Sequence, residues 1–362
     1  MKKLEKARLE IDEIDKEMAS LFSRRMAAAK EIALYKKEHG LSVLDKKREE
    51  LIIARNTQWI EGQTEKDHYA SFLKNTIAVS RAYQSSIIDG VSVAFSGTVG
   101  AFAHIAARKL FPYGRAVPCK DFAAAYSAVE SGECDCAVLP IENSYNGEVG
   151  QVTDLMFGGS LFINRVTELA IDQSLLGVEG ATIDDIKEVI SHPQALGQCA
   201  EYIKAKGFSV KEFSNTALAA EYVAKNGDKS VAAIASAEAA EIFGLNVMER
   251  AINTDRGNTT RFAVMTRAEN FSHPPKSALC SLLLFTVKHE AGALAKALDI
   301  IGLHGFNMGV LRSRPTKDKQ WQYYFYAELL GDVRSDAGRD MMRMLDRMCD
   351  KLKCVGVYEK GE

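Results

Sequence analysis

The first ninety residues carry apolar side chains at helical spacing. Leu4, Ala7, Ile11, Ile14, Met18 and Leu21 follow alternating steps of three and four, and the rhythm continues through Arg25, Ala28, Ile32 and Tyr35. Such a stripe predicts a long helix packed against other helices. Three helices are predicted, over 4–38, 43–60 and 66–88, with Gly40 and Gly62 in the connections. Ser42 and Asp45 predict a capping box for the second. Arg25 breaks the pattern, because an unpaired buried charge costs several kcal/mol. It needs an anion, supplied by a protein carboxylate or by a ligand.

From Val91 to about Asn270 the pattern changes to short apolar strands ending in small or polar residues, as in "VSVAFSG", "CAVLPIENS", "EVISHPQ" and "KSVAAIAS". Helical stretches such as "AFAHIAARKLF" and "DFAAAYSAVESG" alternate with them. This is an α/β pattern, in which ligands sit at the carboxyl ends of strands. "SHPPKS" (272–277) reads as a linker. Beyond it, "ALCSLLLFTVK" and "QWQYYFYAELL" predict strands, and "GALAKALDIIGLHG" and "DAGRDMMRMLDRMCDKL" predict helices. The last of these puts Met341, Leu345, Met348 and Leu352 on one side, as core rather than as ligands. The whole predicts a multidomain chain: all-α at 1–88, α/β at 91–270 and an α+β sandwich at 278–362.

Composition narrows the chemistry. A chain of 362 residues with formal charge -2 calls for several domains and implies neither a nucleic-acid coat nor a membrane surface. No apolar run approaches the length of a membrane span, and the charged N-terminus is unlike a secretory signal. Seven scattered cysteines without a CxxC pair predict reduced thiols in a cytoplasm and no zinc site. There is no HExxH, Walker loop or GxGxxG.

Polar residues recur inside the helical module. Ser80 and Gln84 occupy the stripe Leu73, Ile77, Ser80, Gln84, Ile87 of the third helix. Asp45 and Glu49 lie one turn apart on the second, and Lys36 follows Arg25 by three turns. Two cations facing a hydroxyl and an amide make a receptor for a dianion. The alternative is a buried polar network that only fixes helix register.

This constellation resembles the all-helical chorismate mutase family. The family's early arginine, mid-helix arginine, lysine, D-x-x-R-E and S-x-x-x-Q fall on Arg8, Arg25, Lys36, Asp45 to Glu49, Ser80 and Gln84. The resemblance implies a pericyclic conversion of chorismate to prephenate that needs no nucleophile, only a held conformation and charge stabilisation at the breaking ether bond. It implies that Arg8 and Arg25 bind carboxylates, that Lys36 and Gln84 face the ether oxygen, that Glu49 takes the hydroxyl, and that Asp45 and Ser80 complete the substrate shell. Arg8 and Arg25 are roughly 26 Å apart along one helix. They cannot share a small pocket, so an intertwined dimer is predicted.

Three strings stand at strand ends in the α/β region: "PIENSYNGEV" (140–149), "SHPQALGQC" (191–199) and "NTTRFAVM" (258–265). With "NTALAA" from Asn215 they resemble prephenate dehydratase, a fold with two α/β lobes like a solute-binding protein. The loop "GTVGAFA" (97–103) departs from the usual G-P-x-G-[ST]-[YF]-S, and Gln173 stands where histidine is common. The resemblance makes Thr260 the key catalytic hydroxyl and Arg261 a carboxylate anchor, with Glu142, Asn143, Ser144, Gln194 and Thr216 around prephenate. A threonine hydroxyl is a weak acid, so it is expected to act through a strong hydrogen bond.

Residues 278–362 resemble a ferredoxin-like ACT domain through "AGALAKAL" (291–298), Asn307, "SRP" (313–315) and "WQYYFYAEL". The relatives bind phenylalanine at a dimer interface through G-A-L and E-S-R-P loops, which implies roles for Gly292, Ala293, Leu294, Asn307, Ser313 and Arg314. The glutamate of E-S-R-P is Arg312 here. Together the resemblances imply a cytoplasmic bifunctional enzyme of phenylalanine synthesis, isomerase and lyase, without metal or organic cofactor. It would act as a homodimer or tetramer, with feedback by phenylalanine. One rival is a non-catalytic sensor on the same domains, opposed by the polar seam and "NTTRF". Another is a mutase fused to a dehydrogenase, which lacks its nucleotide-binding glycine loop.

Overall fold

The structure is a computed structural model that describes residues 2–254, 257–270, 278–316 and 322–359. The expected linker 272–277 lies outside the described residues, as do Gln320 and Trp321 of an expected strand. The described residues fall into two compact units, one built on the helices up to Ser92, the other holding nearly all the rest. Among the described residues no helix is long and apolar enough to cross a membrane.

In the first unit, α1 (Lys2–Glu38), α2 (Lys46–Asn56) and α3 (Gln63–Asp89) form the helical module. The second helix starts later than expected. Asp45 is itself the N-cap, its carboxylate accepting from Arg48 N–H at 3.0 Å, which replaces the predicted box from Ser42. The first helix packs on α3 through Ala29 and Ala33, with Leu73 and Ile77 buried opposite. The stripe Leu4, Ile11, Ile14, Met18 and Leu21 stays exposed, because no other segment among the described residues covers it.

The second unit begins with a sheet lobe: β1 (Ser92–Ser96), α4 (Phe102–Leu110), β2 (Arg115–Cys119), α5 (Phe122–Glu130), β3 (Cys136–Asn143), β4 (Gly147–Glu148), α6 (Gly150–Gly158) and β5 (Phe162–Ala170). The chain then crosses to a second lobe of β6 (Ser174–Gly177), β7 (Glu188–Ser191), α7 (Pro193–Gln198), α8 (Ala200–Lys206), β8 (Ser209–Glu212), α9 (Thr216–Asn226), β9 (Val231–Ala235), α10 (Ala237–Phe243) and β10 (Asn246–Glu249). It returns to the first lobe as β11 (Thr259–Thr266). The sheet orders are β2-β1-β3-β11-β5, with β4 beside β3, and β10-β6-β9-β7-β8. The two crossings, near Ile171 and Asn258, put a cleft between the lobes.

One face of the first sheet packs Val93, Phe95, Val138, Phe262 and Val264 under α4. Its other face is met by a four-stranded antiparallel sheet. That sheet comprises β12 (Leu279–Val287), α11 (Ala293–Leu303), β13 (Asn307–Pro315), β14 (Tyr323–Leu330), α12 (Asp336–Asp346) and β15 (Cys349–Glu359), in strand order β13-β14-β12-β15. Both helices lie on one side, over Leu283, Phe285, Ala327 and Leu329. The arrangement fits an ACT-like domain. The helix expected through Leu352 stops at Asp346. Cys349 to Glu359 pair with β12 as a strand, so Leu352 reaches the same core from the sheet. An alternating strand pattern lies hidden under the helical spacing of the methionines. Strand β15 runs so close to β5 that a Cβ on Gly356 would sit 2.1 Å from the Ile163 carbonyl oxygen.

Candidate active sites

The helical module encloses an open cavity of about 730 Å³. Arg25, Lys36, Asp45, Glu49, Ser80 and Gln84 all line it. Arg25 Nε donates to Ser80 Oγ at 3.0 Å, and Ser80 Oγ donates to the Thr76 carbonyl. Ser80 thus takes only the Nε edge of the guanidinium. Lys36 Nζ is tied to the Val43 carbonyl at 2.7 Å, which holds the α1–α2 loop against the cavity. The Gln84 Oε1 atom is buried without a hydrogen-bond partner, a polar group awaiting a ligand. Sequence reasoning gave no role to Arg48 and Arg81, which also line the cavity. Arg48 was visible inside the D-x-x-R-E string. Arg81 donates to both oxygens of Glu49 at 3.2 Å, so it fixes the carboxylate's orientation. Arg8 lies on the uncovered half of α1 and does not line this cavity.

The second site lies in the cleft, a cavity of about 450 Å³. Asn143, Gln194, Thr216 and Thr260 line it as expected. The Asn143 amide organises its wall. Its Oδ1 accepts from the backbone N–H groups of Tyr145 and Asn146, at 3.1 and 2.9 Å, which fixes which end is oxygen. Its Nδ2 therefore faces Thr260 Oγ1 at 3.0 Å and Asn258 Oδ1 at 2.7 Å. Thr260 receives a hydrogen bond at oxygen, leaving its own proton for a ligand. With Oδ1 engaged, Asn258 Nδ2 is a buried donor without a partner. Gln173 Oε1 is a buried acceptor in the same state, while its Nε2 donates to Gln198 at 3.3 Å. These orphaned atoms are what a polar substrate would satisfy. Asn215 caps α9 through its side chain, accepting from Leu218 N–H, and lines the cavity beside Thr216.

Three expectations are corrected. Arg261 does not line the cavity. Successive strand residues point to opposite faces, and Arg261 lies behind Thr260, donating to Glu142 Oε2 at 3.1 Å and Glu328 Oε2 at 2.9 Å. Burial alone would lower its pKa, but Glu328 beside it raises it above the ordinary value. Glu142 is likewise turned away, bonded to Arg261 and Arg312. Burial would raise its pKa, but the two arginines hold it below the ordinary carboxylate value. Ser144 is a turn clasp, its Oγ donating to the Gly257 carbonyl and accepting from Thr259 N–H. Among the described residues lining the cleft none is Arg or Lys; its polar lining is mostly amides and hydroxyls, with His192 and Glu148.

In the C-terminal module Gly292 adopts φ +79° and caps α11, with Ala293 and Leu294 in its first turn. Asn307 and Ser313 are exposed on β13. Arg314 is instead bound to Asp154 at 3.1 Å and to Tyr324 Oη at 3.1 Å.

Comparison with known proteins agrees with this division. The family described as chorismate mutase type II matches residues 7–85, and prephenate dehydratase matches 93–270. A bifunctional chorismate mutase/prephenate dehydratase of Aquifex aeolicus (strain VF5) is 30% identical, covering 100% of this chain and 99% of that protein. The chain belongs to the bifunctional chorismate mutase/prephenate dehydratases. This mutase/dehydratase rearranges chorismate to prephenate, then removes water and carbon dioxide from prephenate to give phenylpyruvate. Its second unit is similar to the prephenate dehydratase of Arthrobacter aurescens solved in complex with L-Phe (26% identity, TM-score 0.68, covering 75% of this chain and 90% of that one). It is also similar to GqqA, described as a novel type of quorum-quenching acylase (32% identity, TM-score 0.69, covering 74% and 97%).

One titratable group supports the cleft's first loop. His104 Nδ1 accepts from Gly100 N–H at 3.2 Å, which requires the unprotonated ring. Burial, then Arg108, lowers its pKa below the ordinary 6.5. A depressed histidine contributes stability that is complete above about pH 6.5 and lost as pH falls below it. A pH–rate profile should therefore show dehydratase activity declining on that acid side, with a shallower decline in His104→Asn, whose oxygen can replace Nδ1.

Proposed function

We propose that the helical cavity holds chorismate with its carboxylates on Arg25 and Arg48, its ether oxygen facing Lys36 and Gln84, and its hydroxyl on Glu49 oriented by Arg81. The observation that carries this reading is convergence. Six polar positions spread from residue 25 to residue 84 open onto one cavity, and the Gln84 amide, whose Oε1 has no partner there, is free to turn its Nε2 donor to the ether oxygen. A pericyclic step needs only a held conformation and donors aimed at the developing charge.

Prephenate occupies the cleft. Its anionic groups are received by Asn258 Nδ2 and by the N–H groups of the first turn of α9 that the Asn215 cap leaves, in place of a side-chain cation. Thr260 donates to the departing ring hydroxyl, its acidity assisted by the bond it accepts from Asn143. Phenylalanine binds at the α11 N-terminus and β13 and inhibits by favouring the less active state.

The exposed stripe of α1 is covered by a second copy of the chain, which brings Arg8 to the partner's cavity and makes the enzyme at least a homodimer. Gel filtration at micromolar concentration checks the assembly itself.

Separate assays of the two half-reactions test the assignments. Arg25→Ala should lower mutase kcat by about 10²–10³, as for loss of one such donor, and leave prephenate turnover intact. Thr260→Ala should do the reverse. Parallel loss of both activities in a folded variant would contradict two separate sites.

Mixing Arg8→Ala with Arg25→Ala chains tests the shared site. Random hybrids contain one intact cavity, so mutase activity should return to about a quarter of wild type; no recovery after subunit exchange would exclude sharing. For the effector, phenylalanine should raise the thermal midpoint and lower phenylpyruvate formation, and an unchanged midpoint and rate would remove that role.

A further inference from the structure

The two ladder rungs that form the cleft wall also meet the C-terminal sheet. In the pairing of β3 with β11, Thr260 stands opposite Asn143 and Arg261 opposite Glu142, next to a register shift in the ladder. Thr260 and Asn143 face the substrate cavity. The other two side chains pass to the far face and join a four-charge circuit, open between Arg312 and Glu328, with residues of the C-terminal sheet. Arg312 donates to Glu142, Glu142 accepts from Arg261, and Arg261 donates to Glu328. Glu328 is buried and also accepts from Tyr358 Oη at 2.9 Å. Two arginines and two glutamates leave no net charge, and each carboxylate receives donors from both sides of the contact.

We infer that this circuit positions Thr260 and Asn143 for dehydration, so that Arg312 and Glu328 of the C-terminal sheet are positioning residues for the reaction one strand-thickness away. The physical reason is local. A register shift lets a strand twist and re-aim its side chains, and here only one residue separates the shift from Thr260. The circuit clamps Glu142 and Arg261 from behind, which fixes the backbone angles that aim their neighbours at the cavity. It also gives Arg312 a function that differs from that of the glutamate in the resembling E-S-R-P loop: an acidic side chain at this place would face Glu142.

The rest of the sheet contact is independent of the circuit. Arg314 holds Asp154, Lys353 donates to the Met156 carbonyl at 2.7 Å, and Tyr324 stacks on Phe157 at 4.2 Å. Neutralising Arg312 therefore loosens the circuit without releasing the sheet.

The inference rests on the dehydratase reading of the cleft, and the full-length protein tests both. Arg312→Met should lower dehydratase kcat about tenfold or more with KM changed less than about threefold, the signature of lost transition-state positioning rather than lost binding. Mutase kcat in the same preparation should be unchanged. Arg312→Lys should restore most of the loss, because the Glu142 contact uses a single guanidinium nitrogen. Glu328→Gln should show the same split and carries the test if Arg312→Met lowers the thermal midpoint. Wild-type dehydratase kcat in Arg312→Met, an equally impaired Arg312→Lys, or parallel loss of mutase and dehydratase would overturn the inference. Absence of phenylpyruvate formation by the wild-type chain would instead overturn the dehydratase reading.

Discussion

The antiparallel pairing of β3 with β11 is the constraint on which the second unit depends. Alternate residues of a strand must face opposite sides of its sheet. The same four consecutive-pair positions therefore serve two surfaces. Asn143 and Thr260 form the wall of the substrate cleft, and Glu142 and Arg261 form the seat of the C-terminal sheet. The cleft wall and the domain contact are separated by the thickness of one sheet and joined by its backbone. Holding one buried and three half-buried charges in that seat is tolerable because each is paired and hydrogen-bonded; removal of any one leaves its partner less well matched.

The two cavities meet the same demand, a small anionic substrate, with different means. The helical cavity uses guanidinium and ammonium groups on α1, α2 and α3, held in place by Ser80, Val43 and Glu49. A pericyclic reaction suits such fixed charge, since no proton moves. The cleft instead is lined mostly by amides and hydroxyls, with the start of α9 at its edge. Loss of a hydroxyl from a ring calls for a directed proton donor, the role proposed for Thr260, whose Oγ1 accepts from the Asn143 amide, itself oriented by two backbone N–H groups. The arginines near the cleft are spent on structure.

Much of this was legible in the sequence. Helical periodicity located α1 and α3 to within a few residues, and the polar breaks at Arg25, Ser80 and Gln84 marked a cavity rather than a core. The strand-end strings located the cleft residues Asn143, Gln194, Thr216 and Thr260. The misses share one cause: strings were taken as blocks. "TTRF" and "IENS" cannot place every member on one face, so Arg261, Glu142 and Ser144 were wrongly gathered into the cleft. A spacing of two from Thr260 would have rejected Arg261 and found Asn258. Arg81 gave no motif signal, and its partner Glu49 lies on another helix. The strand after Asp346 was masked because Met348 and Leu352 continue a helical rhythm. The exposed stripe of α1 was expected to be covered, and nothing among the described residues of one chain covers it.

A structure of the protein with an unreactive dicarboxylate analogue of prephenate tests the two-faced ladder most directly. The account predicts ligand oxygens within hydrogen-bond distance of Asn258 Nδ2 and Thr260 Oγ1, with Arg261 still bonded to Glu142 and Glu328. An Arg261 side chain withdrawn from that circuit and paired with the ligand's carboxylate would contradict it.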